Sequence, residues 1–144
     1  MVEVSRSLHV KAEPARVIDY VADVQNHPAF IPPLKSVANV AGDPKRLGTK
    51  WDWTFSMAGV QVSGKAETVD YVAGKRFSFR TSGVDSTFSY QVEPDAGGSK
   101  LTVKVSYDVP QSVLAKIADR AVVVRMNERD ADQAAKNLKT ILDS

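Results

Sequence analysis

Between residues 48 and 58 the chain alternates without exception. Trp51, Trp53, Phe55 and Met57 fall on one side, and Lys50, Asp52, Thr54 and Ser56 fall on the other. Successive side chains of an extended chain point to opposite faces, so this pattern predicts a half-buried strand. The same period recurs along the sequence. Phe77 and Phe79 alternate with Arg76, Ser78 and Arg80, and Phe88, Tyr90 and Val92 alternate with Thr87, Ser89 and Gln91. After the loop Pro94-Asp95-Ala96-Gly97-Gly98, Leu101, Val103, Val105 and Tyr107 alternate with polar partners. Residues 2–11 do likewise, with Arg6 breaking the apolar side, and 34–41 form a weaker strand. Residues 60–72 shift parity between Val62 and Val69, which leads us to expect a bulge near Gly64. Consecutive strands joined by short turns pair antiparallel. The resulting sheet has one apolar face that needs a cover.

Helical spacing appears where the cover has to come from. Pro14 suits a first helical turn, and Val17, Ile18, Val21 and Ala22 follow at three- and four-residue intervals, so 14–23 reads as a short helix. Asn26-His27-Pro28 reads as a solvated turn, and a second short helix is expected over 28–31 before Pro32-Pro33. From Pro110 to Leu142 there is no further glycine or proline, and Asp108 stands where a helix cap could start. A helix of that length would run about 50 Å, further than the strands reach, so a break or fray near one end is expected. Leu114, Ile117, Ala121 and Val124 begin its apolar stripe; Ala131, Ala135, Leu138 and Leu142 continue it. The fold class is therefore α+β. A curved antiparallel sheet of about seven strands, with two short helices, wraps on a long C-terminal helix as one domain over residues 1–144.

Composition narrows the function classes. The chain has no cysteine, which excludes disulfides, thiolate metal sites and a cysteine nucleophile. The net charge of +2 comes from 19 basic and 17 acidic residues scattered along the chain, so no nucleic-acid partner is expected. No apolar run approaches the ~18 residues of a membrane span, and the alternating, charged N-terminus lacks a signal-peptide core. The expectation is a cytoplasmic monomer or homodimer with no integral membrane segment. The two histidines, His9 and His27, are unclustered, so we expect no metal, no cofactor and no Ser-His-Asp triad; His27 reads as a solvated turn residue, with an acid/base near the cavity mouth as the alternative.

The order of elements carries a family resemblance, and so do particular segments. They are VKAEPARVIDYVAD at 10–23, PAFIP at 28–32, GTKW at 48–51 and GSKLT at 98–102, then Tyr107 and Pro110 opening the last helix. Over nearly its whole length the chain resembles the helix-grip SRPBCC superfamily, which includes START lipid-transfer domains, the major birch pollen allergen and aromatase/cyclases. It is most similar to bacterial polyketide cyclase/dehydrase-type members. The resemblance implies a deep cavity between sheet and helix that takes hydrophobic molecules. It transfers no catalytic residue, because members differ in chemistry.

Candidate ligand-contacting residues follow. Trp51, Trp53, Phe55, Phe77, Phe79, Phe88, Tyr90 and Tyr107 share the inward-reading face. Such rings either fill a core or wall a cavity. The alanines at 121, 131 and 135 leave room opposite them, and the resemblance favours a cavity. Phe30 and Ile31 of the second short helix are added as apolar candidates. The tips of Trp51, Trp53, Tyr90 and Tyr107 carry donors that face either the interior or backbone and solvent. Arg6, Arg125 and Glu128 interrupt inward stripes. All three are either polar anchors for a ligand, or they lie at the exposed margin or on a rotated helix face. The run 127–133 reads as a solvated helix face. No catalytic residue is assigned. The expected function is binding or transport of a hydrophobic small molecule such as a lipid, a quinone or a polyketide-like aromatic. The alternative is a cyclase, aromatase or dehydratase working through cavity hydrogen-bond donors.

Overall fold

Each alternating segment forms a strand. In the computed structural model, which describes residues 1–144, these are β1 (Val2–Val10), β2 (Leu34–Ala38), β3 (Lys50–Met57), β4 (Val60–Val72), β5 (Arg76–Ser82), β6 (Ser86–Asp95) and β7 (Gly98–Tyr107). They build one sheet in the order β1-β7-β6-β5-β4-β3-β2, antiparallel throughout. Strands β1 and β2 are consecutive in sequence yet lie at opposite edges. The chain crosses between them through α1 (Pro14–Ala22), a 3-10 turn at Val24–Asn26 and α2 (His27–Phe30). Helix α1 buries Val17, Ile18, Val21 and Ala22, the residues its helical spacing singled out.

The bulge lies elsewhere than the sequence suggested. The β3–β4 register runs unbroken past Gly64, which stands opposite Trp53. The shift falls between Thr68 and Asp70, against β5, where one extra residue reverses the parity of the strand. Gly64 serves a different purpose. A Cβ there would lie 1.9 Å from the Ser82 carbonyl oxygen and 3.0 Å from Cζ2 of the Trp53 ring. Glycine lets the β5–β6 turn close onto β4 at that point and lets the indole lie over the strand.

The C-terminal segment breaks near its start, as its length required. Helix α3 spans Gln111–Leu114, and α4 spans Arg120–Leu142. Asp108 caps neither. Pro110 precedes α3 without a side-chain cap, and the Asp119 carboxylate accepts from the Ala121 N–H at 3.0 Å to start α4. Leu138 and Leu142 are fully buried, and Val123 is the other buried residue of α4. The far end of α4 is tied to β1. The Lys11 N–H donates to the Asp143 carboxylate at 2.8 Å, and Lys139 Nζ donates to the His9 carbonyl at 2.7 Å. Asn137 Nδ2 donates to the Phe30 carbonyl at 3.2 Å, joining α4 to α2. No helix is long and apolar enough to cross a membrane.

Candidate functional site

The inner face of the sheet and the facing side of α4 do not fill the space between them. They leave a half-open cavity of about 170 Å³, walled by 28 residues of which 21 are hydrophobic. Strand β3 contributes Trp51, Trp53 and Phe55; β5 contributes Phe79; β6 contributes Phe88 and Tyr90; β7 contributes Tyr107. Phe30 and Ile31 close it from the α2 side. The rings pack on one another along the sheet. Phe79 and Phe88 stack at 4.8 Å, and Trp51 meets Phe79 edge-on at 5.4 Å. Phe77 is fully buried but lies outside the cavity wall, 5.8 Å from Phe79 and 6.4 Å from Tyr90.

Arg125 and Glu128 are not brought to this wall; both are exposed. The apolar stripe assumed one helix running from Pro110. The second half of that stripe faces inward as read: Ala131, Ala135 and Leu138 line the cavity and Leu142 is buried, whereas just after the break at 115–119 Ala121 is exposed and Val123 is buried instead. The residues that face the cavity are Asn127, Asp130, Ala131, Ala134, Ala135 and Leu138, spaced by about one helical turn. Asn127 and Asp130 therefore do not belong to a solvated face. Counting back in turns from Leu138 would have found both. Arg6 reaches the cavity edge, where its guanidinium pairs with Asp132 of α4 and donates to the Ser5 carbonyl.

His27 is the largest departure from the sequence reading. It is no solvated turn residue: only 2% of it is exposed, and it lines the cavity. Its ring stacks on Phe79 at 5.5 Å and meets Phe30 edge-on at 5.6 Å. Nε2 lies 2.8 Å from the Val21 carbonyl, which only accepts, so Nε2 carries the proton and Nδ1 is left as an acceptor. Burial lowers the imidazole to about pKa 4, against the opposing pull of the Val21 hydrogen bond and the Asp23 charge, so the ring is neutral at pH 7. The signal for this lay in spacing. Val24, His27 and Phe30 recur every three residues, which marks one face of a helical turn.

The polar groups of the wall are few, and their pairing is uneven. Thr81 Oγ1 donates to the Val84 carbonyl and also pairs with the Ser86 hydroxyl. Asn127 Nδ2 donates to the Tyr107 hydroxyl at 2.9 Å. Two buried side-chain polar atoms in the protein have no partner, Trp53 Nε1 and Asn127 Oδ1, and both residues line this cavity. An orphaned buried group costs about 1–3 kcal/mol. Turning the Asn127 amide over leaves one of its ends unpaired all the same. Burial raises the phenols of Tyr90 and Tyr107 above the ordinary range, and at Tyr107 the Asn127 hydrogen bond partly offsets it. Burial also raises the Asp130 carboxyl.

Comparison with known proteins agrees with this architecture. No curated protein matches the sequence. Among solved structures, a protein from Thermus thermophilus superposes with a TM-score of 0.79 at 16% identity, covering 96% of this chain and 95% of that one. A START superfamily protein from Mycobacterium smegmatis gives 0.74 at 13% identity over 98% and 97%. The di-domain ARO/CYC StfQ from the steffimycin biosynthetic pathway gives 0.75 at 14% identity, covering 99% of this chain and 50% of its own. At these identities the likeness is one of fold: a curled antiparallel sheet gripping a C-terminal helix. The family model described as "Polyketide cyclase / dehydrase and lipid transport" matches residues 1–143. With the grip, the aromatic inner face and a match from end to end, the chain belongs to that family.

Proposed function

We propose that this protein, acting as one domain over residues 1–144, binds a hydrophobic small molecule between sheet and C-terminal helix and carries it. The observation that supports this most is the half-open space of about 170 Å³ whose wall is hydrophobic at 21 of 28 residues. A concave apolar wall with a few polar groups is what a small-molecule site requires. A lipid chain, a quinone or a polyketide-like aromatic meets that description. The test has two arms. Native mass spectrometry of protein isolated from its own host should show an adduct of a few hundred daltons that denaturation releases. The emptied protein should take up a fluorescent apolar probe with saturable, one-to-one stoichiometry. Protein that arrives without adduct and then ignores the probe would end the reading.

One observation favours a second reading, an enzyme of the cyclase, aromatase or dehydratase kind. Imidazole, amide and hydroxyl groups of His27, Asn127, Thr81 and Ser86 share the cavity wall with the rings, and an ARO/CYC has the same fold. A base works best with a pKa near the working pH, and His27 at about 4 is a weak one at neutrality. Chemistry here would rest on positioning and hydrogen-bond donation. A linear poly-β-ketone that binds but cyclises no faster than in buffer would eliminate this reading.

A further inference from the structure

Few titratable groups reach the cavity wall, and one of them has no counterpart. Arg6 is paired with Asp132. His27 is neutral at pH 7, and burial holds the Tyr90 and Tyr107 phenols above their ordinary range. Asp130 also lines the wall, and no basic nitrogen lies within 4.0 Å of its carboxylate. The residues one turn away from it on α4 are Met126, Asn127, Gln133 and Ala134, none of them basic. Burial raises its carboxyl, with no cation pulling the other way. A largely apolar space is thus bordered by one uncompensated carboxylate.

Two ties fix where that carboxylate stands. Asn127 bonds to Tyr107 on β7, and Asp132 pairs with Arg6 on β1. In the register Tyr107 lies opposite Val2, and Val103 lies opposite Arg6. Asp130 falls between the two ties along α4. The row of the sheet between them holds Val4, Val105, Phe88 and Phe79. All four line the cavity, and Phe79 and Phe88 stack there at 4.8 Å. The half-buried carboxylate and the stacked rings therefore border the same part of the space. A carboxylate attracts an ammonium through charge-assisted hydrogen bonds, and aromatic faces attract it through their quadrupole. A ligand carboxylate would be repelled there, and a neutral hydroxyl would gain less. We propose that the cavity selects a ligand carrying a protonated amine on an apolar body, with the ammonium at Asp130 beside the Phe79–Phe88 stack. This rests on the binding reading above and names the charge class of its ligand.

Naphthylethylamine, naphthylethanol and naphthylacetate share one ring system and differ in the group under test. Each is titrated against the full-length protein at pH 7 with a fluorescent apolar probe already bound. We expect the amine to displace the probe at roughly tenfold lower concentration than the alcohol, the effect of about one charge-assisted hydrogen bond. Naphthylacetate should bind more weakly than the alcohol. In Asp130→Asn the advantage of the amine should disappear while the affinity for the alcohol stays that of the parent, which also reports that the variant folds. Asp130→Ala should repeat the result and guards against one variant failing to fold. An alcohol that matches the amine, an acetate that binds tightest, or an amine advantage that survives both substitutions would each overturn the inference while leaving a binding protein. A bound probe that none of the three displaces would overturn it as well. If the probe itself fails to bind, the binding reading falls with it.

Discussion

A single imidazole makes the inside of this protein sensitive to acid. His27 is buried and neutral, with its pKa lowered from 6.5 to about 4. The unfolded chain binds a proton near pH 6.5 where the folded chain does not, so folding stability falls as pH drops from 6.5 to 4 and levels off below. The full loss is about 3 kcal/mol. Urea titrations at pH 7, 5.5 and 4.5 should show that slope, and His27→Gln should flatten it. The carboxylates lowered by partners, Asp52 and Asp143, act in the same direction but below their ordinary value of 3.8, outside this window, while Asp130, raised above 3.8 by burial, opposes the slope at its acid end. Unchanged stability between pH 7 and 4.5 in the parent protein would contradict the burial of this ring. Its place was hard to see because Asn-His-Pro is a turn signal on chemistry alone. The apolar neighbours at three-residue spacing argued the other way, and packing against Phe79 decided the outcome.

At the scale of elements, the strands were legible and the helix face was legible only in its C-terminal half. Period-two alternation depends on nothing beyond the strand itself, so the eight rings all turn inward; seven of them line the cavity, and Phe77 is packed into the core instead. A helix face depends on where the helix starts. Asp119 starts α4 nine residues after Pro110, and the stripe holds only further along it, at Ala131, Ala135, Leu138 and Leu142; Asn127 and Asp130 share that inward face, and Arg125 and Glu128 lie off it. The bulge was misplaced for a related reason: glycine marks close approach as readily as an extra residue, and at Gly64 it marks approach. Gly64→Ala should therefore lower stability by more than about 2 kcal/mol, since its Cβ would lie 1.9 Å from a backbone oxygen with no side chain to move aside. A urea midpoint within error of the parent would show that the turn gives way freely.

For the molecule as a whole, the question is whether the space between sheet and helix is functional or a packing fault. Ala134 faces the cavity from α4. In a closely packed core, Ala134→Phe would introduce strain of several kcal/mol and lower the melting temperature steeply. Facing a real hollow, the new ring gains about 1.5–3 kcal/mol of burial against modest strain. We expect a melting temperature near or above that of the parent, with uptake of the fluorescent probe lost. A steep drop in melting temperature would indicate that the space is not available to a side chain, let alone to a ligand.

The uneven fastening of α4 determines how such a space can be reached. Leu138, Leu142, the Lys11–Asp143 bond and the Lys139–His9 bond all hold its C-terminal third. Ahead of that third only Val123 is buried, and two side-chain contacts reach the sheet, the Asn127–Tyr107 bond and the half-exposed Arg6–Asp132 pair. Local opening free energy follows such anchoring, so it rises along the helix from front to back. The break at 115–119 sits at the weak end. Opening at that end would widen the space without parting a single rung between strands.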